Sequence, residues 1–491
     1  MRNATASGSR GNAAVRLSDE PRECCGIVGI FGVDRAAELT YRGLYALQHR
    51  GQESAGIVVS DGKTIQSKKG LGLLWEAIRS EELCDLPGRI AVGHVRYSTT
   101  GSKRIQNIQP LVIEYSRGIV VMAHNGNLTN ARYLRGLYQS RGSIFQTSTD
   151  SEIIVHLLAD PRYTNASDPL GQVLGQLRGA YSLVMMDATS LVAARDPYGF
   201  RPLSLGTLDG GFIVASETCA FDLLGASFLR DVEPGEIIEF GKSAPNSRYF
   251  TTANQSRLAR CIFEYIYFAR PDSVVFGETV HNVRVRLGEN LASTWPVEAD
   301  VVFPVPDSGN SAALGYSRRS RIPLDAGFIR NHYVGRTFIT PAQESRAAGV
   351  EIKLNVVRKV VEGKRVVVVD DSIVRGTTCK ARIRSLRAAG AKEVHLRISA
   401  PPIRFPCFYG IDFPHADELI AAEKSVEEIA QFLGVDSLGY QTVDGLIASV
   451  PGSGESYCLA CFTGEYPVEV TEDMDKHAME RTSPGRHLSE S

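Results

Sequence analysis

The stretch KRVVVVDDSIVRGTTCKARIRSLRAAGAKEVHLRIS, residues 364–399, constrains the fold more than any other part of the sequence. Its four consecutive valines, 366–369, predict a buried strand, and the following residues have helical spacing up to Gly390. Residues 299–320, ADVVFPVPDSGNSAALGYSRRS, repeat the order strand, loop and helix. Because such units build parallel sheets, we expect a parallel sheet flanked by helices from about residue 256 onward.

Two carboxylates, Asp370 and Asp371, follow the valine strand at the edge where parallel α/β sheets bind ligands. The next residues, SIVRGTT at 372–378, place Gly376 and three hydroxyl groups ahead of the helix. Backbone N–H groups and hydroxyls in such a loop can hold a phosphate. Since like charges repel, the carboxylates should bind sugar hydroxyls or a hydrated Mg²⁺ instead. A phosphorylated ribose meets both requirements.

The first half, residues 25 to about 250, is rich in short apolar runs separated by Gly, Asn, Asp and Pro. In CGIVGIFGV, residues 25–33, the apolar residues point to both faces, as in a strand that is covered on both sides. Segments 37–51 and 150–160 have helical spacing. We therefore expect a layered sandwich of sheets and helices in this half.

Length and composition limit the function classes. At 491 residues the chain exceeds the size that one core usually supports, so about two large domains are expected. Its 54 basic and 55 acidic residues give no broad electrostatic reason to expect nucleic acid or a membrane as partner. No apolar stretch approaches the roughly 18 residues that span a bilayer. Nine cysteines are too sparse for a disulfide scaffold, and their odd number indicates an intracellular protein.

Cys25 lies directly ahead of an apolar strand and follows a polar leader, residues 1–24. An ordinary thiol, with a pKa of about 8.5, needs a base to become a nucleophile. A freed α-amino group, with a pKa of roughly 7.7 to 8.0, can be that base if the bond between Cys24 and Cys25 is cut. We therefore predict that residues 1–24 are a propeptide. They lack the apolar core of a secretory signal, and a short organelle transit peptide is the alternative.

Four polar segments accompany Cys25, namely QHRGQESAG at 48–56, GHVRYSTTG at 93–101, AHNGNLTN at 123–130 and TSTDSE at 147–152. With them, the first half resembles the glutaminase domain of class II amidotransferases, an N-terminal-nucleophile (Ntn) hydrolase with an αββα sandwich. The resemblance implies that Arg96 holds the glutamine α-carboxylate and Asp150 its α-ammonium. It also implies that the Asn125 side chain and the Gly126 N–H form an oxyanion hole.

Two histidines and a second cysteine lie in or beside these segments. His94 and His124 invite a Cys/His dyad, but each lies beside a glycine turn, so we expect each to hold a backbone group instead. Cys24 departs from the family pattern, because the family more often has an acidic residue before the nucleophile. This difference concerns the rate at which the bond between Cys24 and Cys25 is cut, and Cys25 is still expected to be the nucleophile.

The run VVVVDDSIVRGTT resembles the signature of type I phosphoribosyltransferases, which bind phosphoribosylpyrophosphate (PRPP). The resemblance implies a pyrophosphate loop at PDSGN, 306–310, and a mobile lid at NHYVGRTFITP, 331–341. It assigns PRPP binding to Asp370, Asp371, Ser372, Arg375, Gly376, Thr377, Thr378, Arg336 and Lys353, and Mg²⁺ to Ser308, Asp370 and Asp371.

Two of the cysteines form CLAC, 458–461, whose spacing by itself is typical of a zinc half-site or a redox pair. Cys261 and Cys407 join Cys458 and Cys461 only through resemblance to an iron–sulfur family type, in which the matching cysteines ligate a [4Fe-4S] cluster. Such a cluster would be structural and would fasten the C-terminal segment to both domains, and zinc is the alternative. We interpret the remaining thiols as small buried residues; they are Cys84, Cys219 and Cys379.

Taken together, residues 25–466 resemble the glutamine PRPP amidotransferases of the iron–sulfur type. The resemblance implies a glycosyltransferase of the pentosyltransferase class that converts glutamine, PRPP and water to 5-phosphoribosylamine, glutamate and pyrophosphate. This is the first committed step of purine biosynthesis. Ammonia would pass between the two sites through a closed passage, and Tyr265 is a candidate for coupling them.

The resemblance also implies an organisation: a propeptide at 1–24, the glutaminase domain at 25–255, the phosphoribosyltransferase domain at 256–466 and a flexible tail at 467–491. We expect a homo-oligomer, dimer or tetramer, that is inhibited by purine nucleotides and lies in the cytoplasm in preference to a plastid. Two alternatives remain at this point. One is a phosphoribosyltransferase for a nucleobase with a regulatory first half, and the other is a non-catalytic nucleotide sensor.

Overall fold

The computed structural model describes residues 25–97, 105–250, 257–331, 354–411, 413 and 416–469. The strands of the first half are β1 (Gly26–Phe31), β2 (Ser54–Ser60), β3 (Ile65–Leu71), β4 (Ile90–Arg96), β5 (Leu111–Tyr115), β6 (Gly118–Leu128), β7 (Gly179–Met186), β8 (Leu191–Arg195), β9 (Ser204–Leu208), β10 (Gly211–Ala215), β11 (Ser227–Asp231), β12 (Glu236–Phe240) and β13 (Asn246–Tyr249). Its helices are α1 (Ala36–Ala46), α2 (Leu74–Ala77), α3 (Ala131–Ser140), α4 (Glu152–Ala159), α5 (Pro161–Thr164), α6 (Pro169–Leu174) and α7 (Cys219–Leu224).

These strands form two antiparallel sheets. One has seven strands in the order β11-β9-β10-β1-β4-β2-β3, and the other has six in the order β13-β12-β8-β7-β6-β5. Ile27 of β1 belongs to the apolar layer between the two sheets, whereas Val28 packs with α1 and α7 on the outer side. The strand is therefore covered on both faces, and the predicted layered αββα sandwich is confirmed.

Helix α1 lies over the first sheet. Its buried residues Ala36, Thr40, Gly43 and Leu44 recur at helical spacing. A Cβ at Gly93 of β4 would lie only 2.4 Å from the Thr40 side chain, so a glycine is needed for this close approach. The predicted helix at 37–51 is confirmed as far as Ala46, after which residues Gln48–Arg50 form a 3₁₀ turn.

The second half begins with β14 (Arg260–Cys261) and a π-helical turn, Glu264–Phe268. Its further strands are β15 (Val274–Val275), β16 (Glu278–Thr279), β17 (Val301–Pro304), β18 (Phe328–Arg330), β19 (Leu354–Val356), β20 (Arg365–Asp370), β21 (Glu393–Ile398), β22 (Ser437–Tyr440) and β23 (Tyr457–Cys458). Its helices are α8 (Val280–Thr294), α9 (Asn310–Ser320), α10 (Arg358–Val361), α11 (Thr377–Ala388), α12 (Ile420–Glu423), α13 (Val426–Leu433), α14 (Val443–Ile447) and α15 (Ala460–Thr463).

Strands β17, β20, β21 and β22 form the predicted parallel sheet, in the order β17-β20-β21-β22. The valine run divides between its two faces. Val366 and Val368 pack on one side with Ile383 and Leu386 of α11, and the valines at 367 and 369 pack on the other with α8 and α9. Strand β20 is thus buried on both faces, as a run of β-branched residues predicts.

One core extends across both halves: Phe200 of the first half packs in the same apolar cluster as Phe263 and Tyr409 of the second. Among the described helices, none is long and apolar enough to cross a bilayer. The expected buried position is confirmed for Cys219 and Cys379 and is wrong for Cys84. Cys84 lies in a short 3₁₀ helix at the surface, where its Sγ is 2.8 Å from the Glu81 carbonyl oxygen.

Candidate active sites

Cys25 directly precedes β1, the central strand of the seven-stranded sheet. Gly26 pairs with Val95 of the neighbouring strand β4, so Cys25 lies beside the end of that strand, where Arg96 is buried. The Cys25 thiol is half-buried and lies 3.6 Å from the carbonyl oxygen of Tyr97. The sheet register therefore brings together the predicted nucleophile and the predicted carboxylate-binding arginine.

The predicted oxyanion-hole residues, Asn125 and Gly126, lie in β6 of the facing sheet. Asn125 is buried, and its Nδ2 has no hydrogen-bond partner among the described residues. Gly126 has φ +148, and a Cβ there would lie 2.0 Å from the Ala180 carbonyl oxygen, so only glycine fits. An unpaired buried donor costs about 1–3 kcal/mol, and such a donor in a native fold calls for an explanation. An acceptor supplied by a substrate would satisfy this donor.

Asp150 is buried and contacts Leu128, which lies two residues beyond this pair along β6. Its Oδ2 accepts a hydrogen bond from the Leu128 N–H at 2.8 Å, and its Oδ1 accepts one from the Ser151 hydroxyl at 3.3 Å. The Leu128 contact fixes Asp150 at the end of β6. The structure thus gathers the predicted ammonium-binding carboxylate near the oxyanion pair, while residues 98–101 of the predicted glutamine-binding segment lie outside the described residues.

The two histidines lie within strands β4 and β6, so the expectation that they flank glycine turns is wrong. His94 does hold a backbone group, as predicted: its Nε2 donates to the His124 carbonyl oxygen at 3.2 Å. Burial, helped by the Arg96 charge, lowers the pKa of His94 to about 3. His94 is therefore neutral near pH 7. His124 shares a hydrogen bond of 2.8 Å between its Nδ1 and the Ser151 hydroxyl.

A buried ion network of Arg50, Arg201, Glu217 and Glu264 joins the two halves beneath Cys25. Arg50 donates from Nε to the Cys25 carbonyl oxygen at 3.2 Å and from Nη1 to Glu217 at 2.5 Å. Glu264 accepts from Arg50 at 2.9 and 3.0 Å and from Arg201 at 3.0 Å. Sequence reasoning missed this network, although Arg50 lies in the QHRG segment and Glu264 lies three residues after Cys261.

The carboxylates of this network stay ionised. Burial alone would raise the pKa of Glu217, but the charges of His49 and Arg50 outweigh it and hold the pKa well below its usual range. The pKa of Glu264 is likewise lowered, because Arg50 and Arg201 outweigh its burial. Arg50, which donates to the Cys25 carbonyl oxygen, is therefore held between two buried negative charges.

The second site lies where β20 meets α11. Asp370 and Asp371 are buried, and Gly376, with φ +80, leads into the helix. The predicted pyrophosphate loop packs at the same edge: the Val305 N–H donates to the Val369 carbonyl oxygen at 2.8 Å. A Cβ at Gly309 would lie 2.4 Å from that same oxygen. The two loops are therefore neighbours, as parallel strand order predicts.

Some predicted phosphate-site residues are engaged within the protein. Asp370 accepts from Arg382 Nη1 at 3.1 Å, and Asp371 accepts from the Ser372 hydroxyl at 3.1 Å. Arg375 donates from Nε to Glu418 at 2.8 Å. The Thr377 and Thr378 hydroxyls lie at the first turn of α11, and Ser308 is half-buried in the neighbouring loop. Arg336, Lys353, the leader at 1–24 and the predicted lid at 331–341, except for Asn331, fall outside the described residues.

Tyr265 lies in the π-helical turn between the two sites. It is fully buried, and its hydroxyl donates to the Val275 carbonyl oxygen at 2.5 Å. Its own carbonyl accepts from Arg284 Nε at 2.7 Å. Burial lowers the pKa of Arg284 to about 10, and the charge of Asp371 acts in the opposite direction. A coupling role for Tyr265 stays a prediction, and its side chain is packed like that of a core aromatic residue.

The four-cysteine site, formed by Cys261, Cys407, Cys458 and Cys461, is one apolar cavity that all four thiols line together with Phe200, Tyr409 and Tyr466. Cys261 pairs with Cys458 in the parallel ladder of β14 and β23, and no disulfide joins any of the four. Burial raises the pKa of Cys261 to about 12 and raises that of Cys458 and Cys461 as well. Thiolates here therefore need a positively charged partner.

Four cysteines that line one cavity form a donor set that could hold a metal centre. As thiolates they would suit either a tetrahedral zinc ion or a [4Fe-4S] cluster.

Comparisons with known proteins agree with this geometry. Residues 94–222 match a family model described as a glutamine amidotransferase domain. The chain is 50% identical over 456 residues to amidophosphoribosyltransferase 1, chloroplastic, of Arabidopsis thaliana, covering 92% of this chain and 80% of that protein. It is 49% identical over 459 residues to the amidophosphoribosyltransferase of Bacillus subtilis, covering 92% and 95%.

Solved structures give the same result. A structure described as the allosteric regulatory enzyme of purine biosynthesis superposes with a TM-score of 0.87 at 48% identity, covering 92% of this chain and 99% of the other. The B. subtilis glutamine PRPP amidotransferase in complex with ADP and GMP superposes with a TM-score of 0.85 at 48% identity, with the same coverage. The nucleobase transferase and the nucleotide sensor are therefore set aside, and the chain belongs to the amidophosphoribosyltransferase family, enzymes of purine biosynthesis.

Proposed function

We propose that this chain performs the amidophosphoribosyltransferase reaction at two sites, with Cys25 hydrolysing glutamine and the end of strand β20 binding PRPP. The overall reaction joins glutamine, PRPP and water to give 5-phosphoribosylamine, glutamate and pyrophosphate. The observation that carries the assignment is the sheet register that places Cys25 beside Arg96, with the Asn125 Nδ2, which has no partner among the described residues, in the facing sheet.

In the glutamine half-reaction, the Cys25 sulfur attacks the side-chain carbonyl carbon of glutamine. Arg96 binds the substrate α-carboxylate and Asp150 its α-ammonium, because a zwitterion needs one fixed charge of each sign. The oxyanion that develops accepts hydrogen bonds from Asn125 Nδ2 and the Gly126 N–H. Ammonia leaves, and water then releases glutamate from the thioester.

We propose that Cys25 acts after residues 1–24 are removed. Its own α-amino group then takes the thiol proton and later returns a proton to the leaving ammonia. The neutral state of buried His94 supports this role for the amine, since His94 already donates its Nε2 hydrogen to a backbone carbonyl.

Ammonia would then reach the second site without entering bulk water, where it would be protonated and lost. The proposed PRPP site consists of Asp370, Asp371, the loop at 372–378, the loop at 306–310 and, outside the described residues, Arg336 and Lys353. Asp370, Asp371 and Ser308 would hold Mg²⁺, which would neutralise the departing pyrophosphate. Burial of both carboxylates at the carboxyl edge of a parallel sheet supports this assignment.

We further propose a [4Fe-4S] cluster at the four-cysteine site, with a structural role. Four free thiols that line one apolar cavity support it. Inhibition by purine nucleotides and a homo-oligomeric state also remain proposals; a relative solved in complex with ADP and GMP supports the first.

The test compares glutamine-dependent and ammonia-dependent release of pyrophosphate by the purified chain, whose start is defined by intact mass. Cys25→Ala should abolish the first and retain the second. Cys84→Ala, which removes an exposed thiol far from β1 in the chain, is the control and should alter neither. Full glutamine-dependent activity in Cys25→Ala would overturn the proposal.

A further inference from the structure

The segment formed by residues 407–410 lies against strand β6 at the oxyanion pair. Asn127, two residues beyond Asn125, donates from Nδ2 to the Phe408 carbonyl oxygen at 2.9 Å. Because a carbonyl only accepts, this bond fixes which end of the amide faces the segment. The two residues are 281 positions apart and belong to different halves of the chain.

The rest of the segment also contacts the first half. The Tyr409 carbonyl oxygen accepts from Arg201 Nη2 at 3.0 Å, and the Tyr409 ring stacks on Phe200 with centroids 4.4 Å apart. Gly410 has φ +102, and a Cβ there would lie 3.3 Å from the Gly126 carbonyl carbon. Residues 408–410 therefore contact both strand β6, which carries the oxyanion donors, and the loop that contains Phe200 and Arg201.

Strand geometry links this contact to catalysis. Asn125 and Asn127 project from the same face of β6, with Gly126 between them. Oxyanion donors act only when they are held close to the productive position, within about 0.5 Å. The Asn125 Nδ2 is buried and has no hydrogen-bond partner in the described part of the chain. The Asn127 hydrogen bond is the side-chain bond described above that joins this part of β6 to the second half.

We propose that Asn127 is a positioning residue for the oxyanion hole, holding Asn125 and Gly126 in place through its hydrogen bond to Phe408. Gly410 assists by packing directly on Gly126. The inference rests on the proposed role of Asn125 and Gly126. The same segment begins at Cys407, whose sulfur accepts from the Tyr409 N–H at 3.4 Å, so the oxyanion hole and the four-cysteine site share one support.

The probe is the aldehyde analogue of glutamine, in which a hydrogen replaces the side-chain amino group. The Cys25 sulfur forms a bond to the aldehyde carbon, the C=O π bond breaks, and the thiol proton ends on the oxygen. The resulting tetrahedral adduct places that oxygen in the oxyanion hole. The affinity for the aldehyde therefore depends on the geometry of the oxyanion hole. The rate at which iodoacetamide alkylates Cys25, with loss of iodide, depends only on the reactivity of the thiol.

In Asn127→Ala we expect kcat for glutamine hydrolysis and affinity for the aldehyde to fall together by about 10- to 100-fold. The KM for glutamine, the iodoacetamide rate and ammonia-dependent activity should stay within about twofold. The matched control is Asn130→Ala, which removes side-chain bonds to Gln176 and Arg178 within the first half alone and should change none of these.

The outcomes separate the hypotheses. If Asn125→Ala weakens binding of the aldehyde but Asn127→Ala does not, the positioning role is wrong and the assignment of the oxyanion hole is retained. If neither variant weakens binding of the aldehyde, the assignment of the oxyanion hole is itself wrong. If Asn127→Ala lowers ammonia-dependent activity equally, the residue is merely structural and the proposal fails. Should Asn127→Ala not fold, Gly410→Ala takes its place, because its Cβ would press on Gly126, and the same selective loss is required.

Discussion

The buried carboxylate of Glu264 provides a quantitative test of how the two halves are held together. Glu264 accepts three hydrogen bonds from guanidinium groups, two from Arg50 and one from Arg201, and the side chains of Glu264 and Arg50 are fully buried. Glu264→Gln retains both arginines but removes the negative charge that they share. Arg50 keeps its contact with Glu217. Breaking one partner of a buried ion pair typically costs about 3–5 kcal/mol. We expect the free energy of unfolding to fall by about 3 kcal/mol.

The assay is urea denaturation at pH 7 followed by circular dichroism, with the slope m compared between variants. The matched control is Glu278→Gln, since Glu278 pairs with Arg286 at 3.2 Å in the same half but both side chains are partly exposed, at 27% and 37%. Partly exposed pairs contribute about 0–1 kcal/mol, so the control should lose less than that. If Glu264→Gln loses no more than Glu278→Gln, the argument from buried charge is refuted.

Glu264→Gln should also lower the two activities of the enzyme to different extents. Arg50 contacts both Glu264 and the Cys25 carbonyl oxygen, so a displaced Arg50 moves the backbone of the nucleophile. Glutamine-dependent activity should therefore fall further than ammonia-dependent activity, by about tenfold or more. An equal loss of both activities would show that Glu264 holds the halves together without positioning Cys25.

Three further predictions concern other parts of the molecule. Gly309→Ala should weaken PRPP binding and lower glutamine-dependent and ammonia-dependent activity alike, because its Cβ would lie 2.4 Å from the Val369 carbonyl oxygen; PRPP titration measures this. Cys461→Ser should lose iron and sulfide, where the parent chain, purified without oxygen, should carry about four irons; zinc in the parent would contradict the cluster. The free energy of unfolding should fall as the pH drops below about 4.5, because the pKa values of Glu217 and Glu264 are lowered in the folded chain and the unfolded chain therefore binds more protons. In Glu264→Gln this decline with pH should be smaller, and an unchanged decline would contradict the prediction.

Features encoded by neighbouring residues could be predicted from the sequence. The valine run specified strand β20 and its burial on both faces, and the order strand, loop and helix specified the parallel sheet. The placement of Asp370 and Asp371 followed from the general rule for the edge of such sheets. The position of Cys25 beside Arg96 required the motif resemblance, since sheet register cannot be derived from either segment alone.

Contacts between distant residues could not be predicted. Arg50 and Glu264 are 214 positions apart, and Asn127 and Phe408 are 281 apart, so no local spacing relates them. Burial of a charged residue depends on the partners that the whole fold supplies. The error at Cys84 has a similar origin, because its 3₁₀ helix turns the thiol outward although leucines flank it nearby in sequence.

The order in which the four cysteines occur along the chain has a consequence for biosynthesis. The cavity wall needs residues 261, 407, 458 and 461, and the short ladder between β14 and β23 joins its earliest and latest parts. A nascent chain cannot close this wall until residue 461 has been synthesised. A polypeptide that ends before residue 458 would therefore leave Cys261 and Cys407 without the other two thiols of the cavity.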